Sequence, residues 1–240
     1  MSTADSKTRI LIHGVSGRMG QALLRLASGH TDLDVVAAVT RGQPAQRIVE
    51  GVPHFASREL HGVPKFDVAI DFSLPDGFDA ILALCVERGA ALVSGTTGLE
   101  STQRDALERA SSSIAVLWEA NFSLGVAVLN ELVERAAKAL PGWDCDIVES
   151  HHVHKKDAPS GTALALGASA GLGGASPRYA SLRAGDIVGE HFVQFTGIGE
   201  RIELNHRATH RDIFAEGALH AAMRLPARGA GIHRLRDLLA

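Results

Sequence analysis

The chain has 240 residues, of which 45% are hydrophobic and 21% are charged, and its formal net charge at pH 7 is −3. These values are typical of a soluble globular protein and give no support for binding to nucleic acid or to an anionic membrane surface. No apolar run is long enough to span a membrane, and the polar residues 1–8 do not resemble a signal peptide. Neither Cys85 nor Cys145 belongs to a Cys-x-x-Cys pair, so we expect reduced thiols in a cytoplasmic protein, with one disulfide as the alternative.

The first 120 residues predict alternating strands and helices, which is typical of a doubly wound parallel sheet. An apolar strand over residues 9–13 leads into Gly14-Val-Ser-Gly-Arg-Met-Gly20 and then into a helix over residues 21–27. Such a glycine turn favours nucleotide binding, because the backbone can approach a phosphate and the helix N-terminus attracts it. A plain strand-to-helix turn is the alternative. Further strands are predicted over residues 33–39, 66–73, 90–94 and 114–118, and helices over 75–88 and 101–112, whereas 42–66 give no clear element.

The end of the second predicted strand bears on the choice of cofactor. In this architecture an acidic residue there usually binds the ribose hydroxyls of NAD, whereas a nearby arginine accommodates the 2′-phosphate of NADP. The chain has Thr40 followed by Arg41, which favours NADPH, although an arginine on a surface loop is common. The loops Gly95–Gly98 and Ala120–Ser123 follow later strands and are expected at the same edge of the sheet.

The richest segment of the sequence is the stretch from Glu149 to Ala163, Glu-Ser-His-His-Val-His-Lys-Lys-Asp-Ala-Pro-Ser-Gly-Thr-Ala. It follows a predicted helix over residues 125–140 and a predicted strand over 143–149, and it opens a helix over 160–170. A helix N-terminus next to two lysines favours a small anion such as a carboxylate, and histidines can transfer protons at neutral pH. A solvated charged loop before an ordinary capped helix is the alternative.

The last third of the chain predicts a change of architecture. Alternating segments over residues 179–183, 186–196 and 200–207 predict strands of a mixed or antiparallel sheet, followed by helices over 213–224 and 235–240. The predicted fold class is therefore α/β, a Rossmann-type doubly wound parallel sheet with an inserted α+β domain that contains a mixed sheet. We predict a dinucleotide-binding domain over residues 1–121 and 209–240, and a substrate-binding domain over residues 122–208.

Several motifs resemble the 4-hydroxy-tetrahydrodipicolinate reductase (dihydrodipicolinate reductase) family of the diaminopimelate and lysine pathway. They occur in family order over nearly the whole chain: Gly17-Arg-Met-Gly20, Gly95-Thr-Thr-Gly98, Asn121-Phe-Ser-x-Gly125, His151-His-Val-His-Lys-Lys-Asp-Ala-Pro-Ser-Gly-Thr-Ala163, Arg183-Ala-Gly-Asp-Ile-Val-Gly-Glu-His191 and Phe214-Ala-Glu-Gly-Ala218. The resemblance implies an NAD(P)H-dependent reduction of a small cyclic dicarboxylate with loss of water, by a homotetramer.

The resemblance also implies the roles of individual residues. His151 and Lys155 would be the catalytic pair. The substrate carboxylates would be held by His152, Ser160, Gly161, Thr162 and Thr97. The cofactor would be contacted by Gly14, Val15, Ser16, Gly17, Arg18, Met19, Arg41, Gly95, Thr96, Thr97, Ala120, Asn121, Phe122, Arg211 and Phe214. No metal is implied.

Two departures from the family pattern stand out. The family often has an acid where this chain has Thr40, so we expect NADPH to be favoured and NADH to be possible. The linker Gly171–Pro177 is shorter than in longer members of the family, which affects a surface connection rather than the chemistry.

Three alternative functions remain at this point. The nucleotide loops fit another NAD(P)-dependent dehydrogenase of an amino or keto acid equally well. A zinc site at Glu149, His151, His152 and His154 is disfavoured, because neighbouring residues of a strand point to opposite faces and two lysines would repel a cation. A non-catalytic NADPH-binding sensor is the third alternative, and it does not explain the cationic loop well.

Overall fold

The structure is a computed structural model that describes residues 7–239. The polar residues 1–6 and the end of the predicted C-terminal helix at Ala240 lie outside that range. The described residues divide into two compact units, one extending to Phe122 and resuming at Phe214, the other spanning Ser123–Ile213. The sequence predicted a second domain over residues 122–208, whereas in the structure Phe122 belongs to the first unit and residues 209–213 belong to the second.

The secondary structure alternates through the first unit and becomes strand-rich in the second. In chain order the strands are β1 (Thr8–His13), β2 (Leu33–Thr40), β3 (Ile48–Val49), β4 (Val52–Ala56), β5 (Val68–Asp71), β6 (Ala91–Ser94), β7 (Ala115–Trp118), β8 (Asp144–His151), β9 (Pro177–Arg183), β10 (Gly189–Thr196), β11 (Arg201–Ala208) and β12 (Gly231–His233). The helices are α1 (Arg18–Ala27), α2 (Pro75–Arg88), α3 (Ser101–Ala110), α4 (Leu124–Ala139), α5 (Gly161–Leu172) and α6 (Asp212–Arg224). Short 3₁₀ turns occupy Ser57–Gly62, Leu225–Ala227 and Leu235–Leu238.

The first unit is built on an eight-stranded sheet of order β12-β7-β6-β5-β1-β2-β4-β3. All neighbouring strands are parallel except β3 and β4. The chain passes from β1 to β2 on one side and later returns to β5 on the other side, so the direction of winding switches between β1 and β5. The strands are buried on both faces, as Ile10–Ile12 and Val68–Ile70 illustrate, and this explains their continuous apolar runs.

The second unit is a mixed sheet covered on one face by α4 and α5. Its order is β11-β10-β8-β9, with β10 antiparallel to both neighbours and β9 parallel to β8. The core between sheet and helices contains Leu129, Val133, Ile147, Leu166 and Phe195. The predicted fold class, a Rossmann-type sheet with an inserted mixed-sheet domain, is confirmed.

Several elements differ from the prediction for identifiable reasons. The helix α1 begins at Arg18 and not at residue 21, because Gly20 belongs to its first turn and not to the preceding loop. A β-carbon at Gly20 would lie 2.4 Å from the Cα of Val15, so this glycine serves close helix packing. The strands β3, β4 and β12 were not predicted, because β3 and β12 are short and β4 contains Pro53. Among the residues described, no helix combines the length and apolarity needed to cross a bilayer.

Candidate active site

The first part of the candidate site is a cavity of about 400 Å³ in the first unit. It lies at the carboxyl ends of β1, β2 and β5, where ligands bind in doubly wound sheets. The predicted cofactor residues Gly14, Ser16, Gly17 and Arg41 line it. The remaining lining residues were not predicted from sequence: His13, Ser57, Phe72, Ser73, Leu74, Asp76 and Gly77.

Three other predicted cofactor residues have side chains committed to the protein interior. Val15 is 1% exposed and its N–H donates to the carbonyl of Val39 at 3.1 Å. Thr96 is buried, and its hydroxyl donates to Asp71 at 2.7 Å. Phe122 is buried and packs edge-to-face on Phe72, with ring centroids 5.3 Å apart. Any contact these residues make with a cofactor would therefore come from their backbones or from slight exposure of their side chains.

The remaining predicted cofactor residues lie at the ends of elements. Arg18 and Met19 open α1, Gly95 and Thr97 flank Thr96 after β6, and Ala120 and Asn121 follow β7. Phe214 lies in α6 and belongs to the first unit, whereas Arg211 is exposed and belongs to the second unit.

The second part of the candidate site is a buried carboxylate–histidine–arginine cluster in the second unit. His151 ends β8, and its Nδ1 is hydrogen-bonded to Oε2 of Glu149, two residues earlier on the same face of the strand. Glu149 is fully buried and receives both terminal nitrogens of Arg183, at 2.8 and 2.9 Å. Because Nδ1 faces Glu149, Nε2 is the nitrogen of His151 that remains for a ligand.

The cluster sets the protonation of its members. Burial would raise the pKa of Glu149, but hydrogen bonds from Arg183 and neighbouring donors outweigh it and lower the pKa to about 2. Burial lowers the pKa of His151 below its ordinary value, and this outweighs the opposing effect of Glu149. Glu149 is therefore an anion near neutral pH, and burial favours the uncharged form of the His151 ring.

The loop after β8 is held by the same arginine. Arg183 donates to the backbone carbonyls of Lys155 and Asp157. The Nζ atom of Lys155 lies 2.9 Å from the carboxylate of Asp157, and the lysine side chain is 22% exposed. A substrate carboxylate could therefore replace Asp157 as the partner of Lys155, whose side chain is already positioned. The ring of His152 lies near that of His154, with centroids 6.2 Å apart.

At the start of α5, the side chain of Ser160 is engaged within the protein. Ser160 is 1% exposed and caps the helix, since its Oγ accepts from the N–H of Ala163 at 3.2 Å and lies 3.2 Å from Nε2 of His191. Its N–H donates to Glu149 at 3.2 Å. The Ser160 hydroxyl therefore has partners within the protein, and a substrate-binding role for this residue stays a prediction. Gly161, which is exposed, and Thr162 supply the first N–H groups of the helix, and these favour an anion.

Sequence reasoning missed Arg183, His191 and His206 as members of this site. Glu149, His191 and His206 are cross-strand neighbours on β8, β10 and β11. His206 lies 3.3 Å from the hydroxyl of Ser123, which caps α4 as Ser160 caps α5. Burial and the neighbouring histidines lower the pKa of His191 to about 4, and burial also lowers the pKa of His206. The two-residue spacing of Glu149 and His151 was a readable signal, whereas the cross-strand register was not.

The geometry gives no support to the zinc alternative. Within residues 7–239, no group of three or more His, Cys, Asp or Glu side chains is arranged to hold a metal ion. The carboxylate of Glu149 is occupied by Arg183, and the rings of His152 and His154 lie beside each other.

Comparisons with known proteins cover nearly the whole described chain. Residues 8–122 match the family model described as dihydrodipicolinate reductase, N-terminus, and residues 125–239 match dihydrodipicolinate reductase, C-terminus. The 4-hydroxy-tetrahydrodipicolinate reductase of Stenotrophomonas maltophilia (strain R551-3) is 73% identical over 232 residues, which cover 96% of this chain and 97% of that protein. The protein of the same name from Xylella fastidiosa (strain 9a5c) is 63% identical over 235 residues, covering 98% and 99%.

A solved structure supports the fold independently. The dipicolinate-bound dihydrodipicolinate reductase from Paenisporosarcina sp. TG-14 superposes with a TM-score of 0.82 at 21% identity, over 96% of this chain and 99% of that chain. At this identity the likeness shows a shared architecture.

Proposed function

This chain belongs to the dihydrodipicolinate reductase family, and we propose that it reduces 4-hydroxy-tetrahydrodipicolinate to tetrahydrodipicolinate with NAD(P)H and loss of water, in diaminopimelate and lysine biosynthesis. Relatives that are 63–73% identical over nearly their full length are named 4-hydroxy-tetrahydrodipicolinate reductase. The observation that carries the proposal is the position of the His151 ring at the end of β8, where the buried carboxylate of Glu149 holds it through Nδ1. The loop that follows contains Lys155 and leads to the start of α5.

The residues of the second unit divide the chemistry between them. His151 acts as the general acid, and its Nε2 delivers a proton to the electron-rich ring after reduction. The dianionic substrate stabilises the imidazolium, so its arrival raises a pKa that burial keeps low in the free protein. Lys155 neutralises one carboxylate, and the N–H groups of Gly161 and Thr162 hold it at the helix N-terminus.

The cavity of the first unit fits a nicotinamide dinucleotide. Ser16 and Gly17 lie at the N-terminus of α1, which no side chain caps among the described residues, so its N–H groups can receive a phosphate. When bound, the nicotinamide supplies the hydride. Arg41 lines the same cavity and is suited to a 2′-phosphate, while Thr40 offers no carboxylate to the ribose hydroxyls. NADPH is therefore the favoured cofactor, and NADH is possible.

The activity is tested by cofactor oxidation with substrate generated in place from pyruvate and aspartate semialdehyde by the preceding synthase. Substrate-dependent oxidation is expected, faster at low concentrations of NADPH than of NADH. An Arg41→Ala variant should raise the KM for NADPH roughly 10-fold, the loss of one charge-assisted contact, and should leave the KM for NADH nearly unchanged. Cofactor binding without turnover would favour a sensor, and turnover of other amino or keto acids would favour a different dehydrogenase.

The assembly and location follow the family resemblance. The chain forms a homotetramer through its second unit, whose sheet and loops expose large apolar side chains including Leu182, Ile198 and Ile202. It works in the cytoplasm, which fits the buried free thiols of Cys85 and Cys145. Light scattering of the purified protein tests the tetramer, and a monomer at micromolar concentration would contradict it.

A further inference from the structure

A second carboxylate–histidine pair lies where the winding of the first sheet switches direction. His13 ends β1 and Asp71 ends β5, and the two residues are cross-strand partners. Nδ1 of His13 donates to Oδ1 of Asp71 at 2.9 Å, and the exposures of the two residues are 2% and 0%. Ligands of doubly wound sheets bind at this switch point, so the pair lies at the floor of the expected ligand crevice.

The donors around Asp71 show that it is an anion. Its Oδ1 also accepts from the N–H of Ser73 at 3.2 Å, and its Oδ2 accepts from the hydroxyls of Ser94 and Thr96 at 2.8 and 2.7 Å. Burial would raise the pKa of Asp71, but His13 and the other donors outweigh it and lower the pKa. Of these donors, only His13 can carry a positive charge to balance the buried carboxylate.

The opposite edge of the His13 ring lies at the cavity. His13 lines the cavity together with Gly14, Gly17 and Gly77. A β-carbon added at Gly77 would lie 3.1 Å from Cε1 of His13 and 3.6 Å from Nε2, so this edge of the ring faces the first turn of α2. With Nδ1 bonded to Asp71, Nε2 is the ring nitrogen left for a ligand in the cavity.

We propose that His13 is a further cofactor-binding residue, whose Nε2 takes up a proton as the dinucleotide binds and donates it in a hydrogen bond to a phosphate oxygen. Asp71 is the positioning residue that fixes the ring and balances the imidazolium. The inference rests on the proposed function, since it assumes that a dinucleotide occupies this cavity. The phosphate oxygen can belong to the pyrophosphate, which NADH and NADPH share, or to the 2′-phosphate of NADPH.

The charges that face His13 make the expected pH dependence specific. Besides Asp71 on β5, the charged groups at the cavity are Arg41 after β2 and Asp76 in α2. Carboxylates and guanidinium groups keep their charge between pH 6 and 8, whereas imidazole changes its charge in this window. Among these protein groups, proton uptake on cofactor binding in this window would therefore come from His13. The 2′-phosphate of NADPH also titrates near pH 6, so NADH, which has no such phosphate, gives the direct measurement and the difference between wild type and variant gives it for NADPH.

The test is calorimetric titration of NADH and NADPH into the full-length protein between pH 6 and 8.5, in buffers of different ionisation enthalpy. These buffers report protons taken up on binding. The variant is His13→Asn, whose amide can still donate to Asp71 but has no Nε2. His61→Asn, an exposed histidine of the same unit, is the control. Thermal unfolding checks the fold, and His13→Gln replaces the first variant if His13→Asn unfolds.

The wild type should take up protons on binding, and its Kd should rise with pH. His13→Asn should bind about 10-fold more weakly at pH 6 and take up no proton, and the difference should narrow towards pH 8. Loss of proton uptake with both cofactors assigns the contact to the pyrophosphate, and loss with NADPH alone assigns it to the 2′-phosphate. Equal proton uptake in wild type and variant would overturn this inference alone. A wild type that binds neither dinucleotide would overturn the proposed function as well.

Discussion

Each unit of this protein contains a buried carboxylate bonded to Nδ1 of a histidine, but the two carboxylates are balanced differently. Glu149, beside His151, receives both terminal nitrogens of Arg183. Among the described residues, the other donors to Asp71, beside His13, are neutral hydroxyl and N–H groups. In the second unit a permanent cation balances the carboxylate whether or not its histidine is protonated. In the first unit the carboxylate gains a cationic partner only when His13 takes up a proton, which we propose happens as the dinucleotide binds.

This difference teaches that the same pair of side chains can serve proton transfer or anion binding. A general acid must change its charge during the reaction, and Arg183 makes that possible by keeping Glu149 ionised in either state of His151. An anion-binding histidine should instead stay charged while its ligand is bound. The presence of a further cation beside the carboxylate, and not the carboxylate–histidine contact itself, distinguishes the two roles.

Removal of the acid in the second unit should have the largest effect. Replacement of His151 by glutamine should lower kcat about 100- to 10,000-fold, the usual contribution of a positioned general acid, with little change in KM. Steady-state kinetics with NADPH measures both parameters. The exposed His154→Gln on the same loop is the matched control and should behave like the wild type. A near-normal kcat in His151→Gln would remove His151 from the acid role.

Removal of the negative charge of Glu149 directly tests the comparison between the two carboxylate–histidine pairs. Replacement of Glu149 by glutamine leaves Arg183 without its buried partner, which should cost about 3 kcal/mol of stability. It also releases the His151 ring, so kcat should fall about 100-fold, at the lower end for a lost general acid. Denaturant unfolding and kinetics measure the two effects separately.

The control for Glu149→Gln is Glu203→Gln in the same sheet, which breaks the exposed pair with Arg201. An exposed ion pair contributes 0 to about 1 kcal/mol, so stability and kcat should hardly change. If Glu149→Gln lost stability but kept its kcat, Glu149 would have a structural role alone.

The sequence predicted the fold and the histidine of the second pair, but neither member of the first pair. Apolar runs and the glycine turn are local signals, so the parallel sheet and the loops at its edge could be read directly. His151 was identified because it stands among basic residues before a helix start. Arg183 and His13 were not identified, because their partners are 34 and 58 residues away along the chain. Only strand order and register bring such residues together, and these are not written in a local pattern.

Low pH should lower the stability of the second unit through its buried His191. The pKa of His191 is lowered to about 4, so between pH 6.5 and 4 the unfolded chain binds a proton that the folded chain excludes. Stability is therefore complete above pH 6.5 and falls as the pH is lowered, by about 2–3 kcal/mol at pH 4. Denaturant unfolding across this range measures the loss, and His191→Gln should flatten it. An equally steep loss in the variant would assign it to other groups.

The smallest effect should come from filling the space next to the His151 ring. A β-carbon at Gly189 would lie 3.0 Å from Nε2 of His151, and the backbone there has a conformation that any residue adopts. Gly189→Ala should therefore fold normally but crowd the nitrogen that delivers the proton. The expected loss in kcat is about 10-fold, below the roughly 100-fold that a displacement of 1 Å can cost.

The matched control for this change is Gly171→Ala in α5, where an added β-carbon meets open space. It should leave kcat unchanged and stabilise the helix by up to about 1 kcal/mol. If Gly189→Ala matched Gly171→Ala in kcat, Nε2 would not be the working atom of His151. The second pair would then differ from the first only in its balancing charge, and the proton donor would have to be sought at Lys155.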